Sequence, residues 1–433
     1  EMKAGFYTIM AAQFFSSLAD NALLIAAIAL LRMMEEPPWM TPALKQCFVV
    51  SYVVLAPLVG AFADSMPKGR VMFVTNTIKI AGCAMLFFHD LVAVPGIAPY
   101  WFVLVSYAVV GLGAAAYSPA KYGILTELLP PEQLVVANGW IEGLTVGSIV
   151  LGTVLGGVLI GAKVSAMLLA IDIPLIDTGI DTAPEAAITV IAVFYLVAAL
   201  FNLAIPDTGA RYRHQERHPV RLVVDFAHCF TTLWRDKLGQ ISLAVTTLFW
   251  GAGATLQFIV LKWAEQHLKL PLSQGAILQG VSAVGIALGA VLAARVIPLK
   301  KAVAVLPVGI AMGFFVMVLI GVSWMPLVYA LLILVGALAG FFVVPMNALL
   351  QHRGHVLMSA GHSIAVQNFN ENVSILVMLA IYALMIRLDL HINAIIVIFG
   401  AFVAAAMFLV MRWNAANHRA DPHLDRLIGE SKH

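Results

Sequence analysis

Gly60-Ala61-Phe62-Ala63-Asp64-Ser65-Met66-Pro67-Lys68-Gly69-Arg70 is a short polar break between two long apolar runs, 46–63 and 71–88. Each run is close to the ~20 residues that an α-helix needs to cross ~30 Å of hydrocarbon. Gly60 lets two helices approach closely, Asp64 sits at a helix end where it can cap or pair, and Lys68 and Arg70 stay in the headgroup layer. Positive flanking of a span explains Lys68 and Arg70 but not Gly60 and Asp64. The four residues therefore read as a polar latch, holding one half of the molecule in one state and releasing it in the next.

The pattern on either side of this break recurs along the chain. Of 433 residues, 61% are hydrophobic and 11% charged, against ~45–50% and ~25% in an ordinary soluble domain. So little polar surface cannot cover so much apolar side chain in water, which excludes a soluble enzyme, a nucleic-acid binder and a disordered scaffold. Apolar runs fall at 6–31, 46–63, 71–88, 100–125, 139–162, 186–205, 239–263, 275–294, 302–324, 326–350, 362–386 and 391–412, the closest pair divided by the turn at Trp324-Met325-Pro326. Backbone polar groups cannot open onto lipid, so the expectation is an all-α membrane protein with 12 spanning helices, the first an uncleaved span. Cys47, Cys83 and Cys229 lie far apart and show neither metal spacing nor a disulfide framework, so no metal is expected.

Charge sets the orientation. With the N-terminus inside, seventeen of the twenty-five Lys and Arg residues fall on the cytoplasmic side and six on the outer side, which places both termini in the cytoplasm. The long polar stretch after the sixth run divides the chain into a six-helix bundle over 1–207, a cytoplasmic linker over 208–237, a second six-helix bundle over 238–412 and a cytoplasmic tail over 413–433. Within the linker, Leu222, Val223, Phe226, Phe230 and Leu233 have helical spacing, so Val220–Trp234 reads either as an amphipathic helix on the inner leaflet or as a plain basic linker. Pro119-Ala120-Lys121-Tyr122 in the fourth run faces Pro345-Met346-Asn347-Ala348 in the tenth at an offset of 226 residues, consistent with two duplicated bundles around a central site.

The Gly-x3-Asp-x3-Lys-Gly-Arg run resembles the cytoplasmic signature of the major facilitator superfamily. That architecture lines its cavity with spans one, four, seven and ten, flanked by two, five, eight and eleven. Ionisable groups at membrane depth are costly and mark candidate sites. On this map Asp20 (beside Asn21, ~21 Å along span one), Lys121 and Glu371 face a cavity, the last within Gln367-Asn368-Phe369-Asn370-Glu371-Asn372. For Asp20 and Glu371 the alternative is an interhelical pair that fixes packing. Lys79 is read as a peripheral residue that snorkels to the inner surface, and Glu142 as a charge at the start of span five. The glycines of span five, Gly147, Gly152, Gly156, Gly157 and Gly161, suit either a sliding face or static close packing. Two acids, a base and a rim of amides match a zwitterionic phosphate-bearing headgroup, the cation and donors for the phosphate and a carboxylate for the amine.

A wider set of residues carries a closer resemblance. Ala19-Asp20-Asn21-Ala22-Leu23-Leu24, the stretch Gly111 to Leu125, Phe249-Trp250-Gly251-Ala252-Gly253, the stretch Gly340 to Gln351, and Ala365-Val366-Gln367-Asn368 together are similar to the bacterial lysophospholipid transporter family. The resemblance implies a facilitator that flips lysophosphatidylethanolamine and related lysolipids from the outer to the inner leaflet of the bacterial inner membrane by alternating access, with a cytoplasmic-side acyltransferase restoring the second chain. It implies substrate-binding roles for Asp20, Asn21, Lys121, Gln257, Asn347, Gln367, Asn368 and Glu371. It departs at Gln257, where relatives carry an Arg, which shifts phosphate binding onto Lys121. It departs also in a longer outer segment bearing Asp172, Asp177, Asp181 and Glu185, read as a solvated loop with a cation or amine antechamber as the alternative.

The main rival reading is a proton-coupled drug or metabolite antiporter of the same superfamily, with Asp20 or Glu371 as proton carrier. A membrane acyltransferase needs His-x4-Asp, and none of the twelve histidines has Asp five positions later, so the chain is expected not to be an enzyme. No cofactor and no nucleic-acid partner are expected; the partners implied are a lysophospholipid and the bilayer itself.

Overall fold

A computed structural model describes residues 2–35, 37–91, 95–128, 131–171, 180, 182–209, 218–358 and 360–428, and at some helix positions, Gly60, Asp64 and Glu142 among them, the backbone alone. Among the described residues the only regular structure is helical. In chain order the helices are α1 (Met2–Met33), α2 (Met40–Leu55), α3 (Val59–Asp64), α4 (Lys68–Phe87), α5 (Pro99–Leu128), α6 (Pro131–Ile160), α7 (Ala162–Leu169), α8 (Ala183–Leu203), α9 (Pro219–Arg235), α10 (Lys237–Gln266), α11 (Leu272–Val296), α12 (Leu306–Met317), α13 (Met325–Leu357), α14 (Ala360–Arg387) and α15 (Ile392–Ala420).

Eleven helical segments among the described residues are long and apolar enough to cross a membrane. The expected twelfth, 46–63, is not one helix. α2 stops at Leu55, and a turn with Leu58 N–H donating to Leu55 O at 2.8 Å leads into α3. Pro57 explains the break, because it offers no N–H and its ring clashes with the carbonyl four residues back, at Val53. The start of the fifth span also moves. α6 already begins at Pro131, so Glu142 stands well inside the helix rather than in the first turn, and its expected role against the helix dipole does not hold. Elsewhere proline opens helices where its missing N–H costs nothing, at Pro184, Pro219, Pro307 and Pro326. The turn at Trp324 separates α12 and α13 as the sequence suggests.

The chain forms two compact units, one of residues 1–217 with 269–280, the other of 218–268 with 281–433. In the first unit α1 is central and packs against α6, α8, α5 and α2, while α4 lies along α5 and α8. Ile9, Val71, Met72, Tyr117, Ala120, Ile124 and Ile205 make a buried cluster at the end of this unit that carries Lys68. In the second unit α10 packs against α13, α14 and α15, and α12 against α15. The stretch assigned to a linker is, from Pro219, the helix α9 of this second unit. Its apolar face docks Leu233 against Leu243, Leu350 and Val366, and sets the rings of Phe226 and Phe230 at 5.2 Å and 6.0 Å from Phe369.

The glycines of α6 decide how α1 is held. A Cβ at Gly156 would lie 2.8 Å from Ile25 Cβ and 2.9 Å from Ala22 O, and Gly152 is as close to Leu18 and Asn21. Of the two readings for this face, static packing describes these two glycines: without a Cβ they let α6 lie backbone-to-backbone on the turns of α1 that flank Asp20. Gly156→Leu is expected to drive α6 off α1 and leave little monodisperse protein in detergent, with Gly156→Ala intermediate. Size-exclusion profiles check this, and a normal profile for the Leu variant would contradict it.

Candidate functional site

In the first unit two membrane-depth charges, Asp20 and Lys79, meet in one cluster. Asp20, on α1, receives Lys79 Nζ of α4 at 3.0 Å on Oδ2 and the hydroxyl of Tyr195, on α8, at 2.5 Å on Oδ1. Lys79 Nζ also donates to Ser16 Oγ at 2.9 Å, and Ser16 donates to Asn76 Oδ1 at 2.7 Å. The ammonium lies 5.1 Å from the ring centre of Tyr117 and 5.7 Å from that of Tyr195. An ammonium has three donors and no acceptor; a carboxylate, a hydroxyl and two aromatic faces satisfy it, which is what makes burial tolerable. Gly113 of α5 makes room for its stem, since a Cβ there would stand 2.8 Å from Lys79 Cγ.

This overturns the reading of Lys79 as a snorkelling residue. Its side chain is 2% exposed, whereas Asp20 keeps 20%. The depth is the reason: Lys79 lies eleven residues beyond Lys68, ~16 Å along α4, farther than its side chain can reach back to the surface. Asn21, next to Asp20, turns its amide onto Ser17 O at 2.8 Å. Lys121 is buried on α5, one turn beyond Tyr117 and on the same face. Two polar atoms of the cluster, Asn76 Nδ2 and Tyr117 OH, are buried without a hydrogen-bond partner among the described residues.

The second unit builds its own chain of amides. Gln367 Nε2, on α14, donates to Asn347 Oδ1 of α13 at 3.1 Å and to Glu371 Oε1 at 2.8 Å. Glu371 is buried, and one turn of helix separates it from Gln367, so both point from the same face of α14. Asn347 follows Pro345, as Lys121 follows Pro119, and both prolines lie inside their helices. Gln257 on α10 and Asn368 on α14 are half-buried. The backbone carbonyl of Asn368 accepts Asn372 Nδ2 at 2.7 Å. Beside this chain Trp234 Nε1 donates to Asn370 Oδ1 at 3.1 Å, which anchors α9 to α14.

Of the four latch residues, Gly60 and Asp64 are described in the backbone alone. Arg70 is exposed. Lys68 is not: it is the first residue of α4 and only 4% exposed, packed by protein at that end of the helix. Asp172, Asp177 and Asp181 of the outer segment also lie outside the described residues. Glu185, read with them as loop, is buried in the first turn of α8 because that helix begins at Ala183.

The sequence reading missed Lys79 and Tyr195 as partners of Asp20, and Ser16 and Asn76 behind Lys79. The signal available was the depth of Lys79 in an apolar span, which demands a buried counter-charge. Asp20 is an acid of the first unit that also stands deep in its helix.

Comparison with known proteins identifies relatives of the whole chain. A family profile for the Major Facilitator Superfamily matches residues 9–377. The chain is 40% identical over 396 residues to the lysophospholipid transporter LplT of Yersinia enterocolitica, covering 91% of this chain and 90% of that one. Identity to the same-named transporter of Yersinia pestis is 41% over 388 residues, with 89% and 88% covered. Among solved structures, a bacterial homologue of the human lysosomal transporter Spinster, inward-facing and unoccupied, matches with a TM-score of 0.67 at 14% identity over 96% of this chain and 98% of that one. The nucleoside transporter NupG matches at 0.70 and 11%, over 95% and 100%. At such identity these structures speak for the fold alone. The sequence relatives go further: the chain belongs to the major facilitator superfamily and, within it, to the lysophospholipid transporter LplT family.

Proposed function

We propose that this protein transports lysophospholipids, moving lysophosphatidylethanolamine and related lysolipids from the outer to the inner leaflet of the bacterial inner membrane by alternating access. Both termini are cytoplasmic in this reading, and an acyltransferase on that side restores the second chain. The name and coverage of the relatives support the substrate class. The Asp20–Lys79 pair supports the headgroup. A phosphoethanolamine carries one positive and one negative group, and the pair offers the complement of each, so the bound complex gains no net charge. Asp20 is the more exposed partner, which lets an entering ammonium meet it first and share it with, or take it from, Lys79. Lys79, so loosened, faces the phosphate together with Lys121, Asn21 and the unpartnered donors Asn76 Nδ2 and Tyr117 OH.

Within the second unit, Glu371, held in place by Gln367, is a carboxylate able to pair with an amine, and Asn347, Asn368 and Gln257 are its proposed substrate-binding amides. In this reading Gly60, Asp64, Lys68 and Arg70 form the latch between conformations.

The test is uptake of labelled lysophosphatidylethanolamine into proteoliposomes, with and without ion gradients, against a panel of drug cations. Lysolipid uptake that organic cations do not inhibit is the expected result; uptake of the cations instead, collapsing with the proton gradient, favours the antiporter. Asp20→Asn is expected to lower uptake of the ethanolamine lipid about tenfold or more, the scale of one lost charge-assisted contact. The loss should be smaller for lysophosphatidylglycerol, which has no amine. Equal loss for both lipids would remove Asp20 from amine recognition.

A further inference from the structure

At the end of the first unit remote from Lys68 and Arg70, three potential metal ligands from two separate elements meet. His89 and Asp90 belong to a short helical turn that follows α4, and Glu185 to the first turn of α8. One imidazole nitrogen and one oxygen from each carboxylate lie within 4.8 Å of one another. His89 is 8% exposed and Glu185 5%, so the structure fixes both.

The ring of His89 is oriented for ligation. Its Nδ1 lies 2.9 Å from Leu86 O. A carbonyl only accepts, so Nδ1 carries a hydrogen and Nε2 is the nitrogen left to face the two carboxylates. That nitrogen stands 2.6 Å from Asp90 Oδ1. Either a proton on Nε2 or a metal ion can bridge that contact. Backbone support of the far nitrogen is also the usual outer shell of a metal-bound histidine.

The geometry points to a binding site for a first-row divalent metal ion made by His89 Nε2, Asp90 and Glu185. Bonds of 2.0–2.1 Å in a tetrahedron set ligand atoms roughly 3.3 Å apart, so the His89–Asp90 contact must open by less than an ångström. Asp90 is the ligand able to do this, being 68% exposed. Three protein ligands leave the fourth position to water. One imidazole with two carboxylates suits Zn²⁺ and its neighbours, whereas Mg²⁺ and Ca²⁺ prefer an all-oxygen shell. Two carboxylates cancel the charge of the ion. The ion would tie the turn after α4 to the start of α8, two helices that also carry Lys79 and Tyr195, the partners of Asp20. On the proposed topology the site faces outward, so an external ion reaches it without crossing the bilayer. The sequence expectation of no metal rested on the cysteines, and Glu185 lies far along the chain from His89 and Asp90.

The test uses the full-length purified protein, free of affinity tag and stripped with chelator. Equilibrium dialysis with Zn²⁺ should find one ion per chain removed by His89→Ala, and the thermal midpoint should rise a few degrees with Zn²⁺ but not with Mg²⁺. Asp90→Asn should weaken binding about tenfold or more while leaving the metal-free midpoint unchanged, because the side chain is exposed. That variant keeps the test decisive if His89→Ala fails to fold. Absence of Zn²⁺ binding, binding that both variants retain, or an equal response to Mg²⁺ would each overturn the site and leave an ordinary His–Asp ion pair.

Discussion

Lys79→Met is expected to reduce lysophospholipid uptake to background and to destabilise the first unit by about 3 kcal/mol, the lower end of what removing one partner of a buried ion pair costs. The lower end applies because Asp20 retains 20% exposure, so the stranded carboxylate can recover some solvation. Met fills the channel for the lysine stem beside Gly113 but returns neither the charge on Asp20 nor the donor to Ser16. The double variant Asp20→Asn with Lys79→Met separates structure from transport. If the pair only holds α1 to α4, the neutral combination should recover both stability and uptake. If the pair reads the headgroup, stability returns and uptake does not. Lys79→Arg should not rescue, since the wider guanidinium has no space where a Cβ on Gly113 would already crowd Lys79 Cγ. Thermal unfolding in detergent and uptake in proteoliposomes report the two effects. Normal values of both for Lys79→Met would remove the pair from either role.

What the sequence reveals and what it conceals follow from the range of the forces involved. Hydrocarbon thickness acts on each span by itself, so the long helices are readable from apolar run length, and the turn at Trp324 from a local proline. Pro57 inside the run 46–63 carries the same kind of local signal, and giving it weight would have divided that run correctly. α9 is readable as a helix from its spacing. The surface its apolar face covers is not, because Leu243, Leu350 and Val366 lie far along the chain. The polar cluster has the same limit. Asp20 and Glu371 stand out because isolated charge in lipid is costly, yet the Lys79 and Tyr195 partners of Asp20 come from α4 and α8, 59 and 175 residues away. Lys79 departs from the general tendency of lysine to reach the surface because it stands eleven residues into α4, too deep for its side chain to span. Glu185 looked like loop because it shares a segment with three aspartates, although Pro184 beside it marks the start of a helix.

Arg353→Ala is expected to release α9 from the second unit. Arg353 grips Asp236 with two parallel bonds, Nε to Oδ2 at 2.9 Å and Nη2 to Oδ1 at 2.8 Å, with the side chains only 4% and 10% exposed. Asp236 is the hinge between α9 and α10 and also caps α10, accepting Gly239 N–H at 2.8 Å. A third bond, Arg353 Nη1 to Leu427 O at 3.3 Å, brings the segment after α15 to the same point. Truncation strands a buried carboxylate at that corner, a loss of about 3–5 kcal/mol. Arg353→Lys should not recover it, since one ammonium cannot reproduce the fork. Cys229 on α9 reports the release. Burial, reinforced by Asp225, pushes its thiol up, and since the thiolate is the reactive form, maleimide labelling near neutral pH should be slow and should quicken as pH rises. Undocking removes the burial, lowers the thiol pKa and exposes the sulfur, so Arg353→Ala should label about tenfold faster at neutral pH in a background where Cys47 and Cys83 are alanine. Labelling and thermal midpoint both unchanged would mean that the docked aromatic face, Phe226 and Phe230 against Phe369, holds α9 without the ion pair.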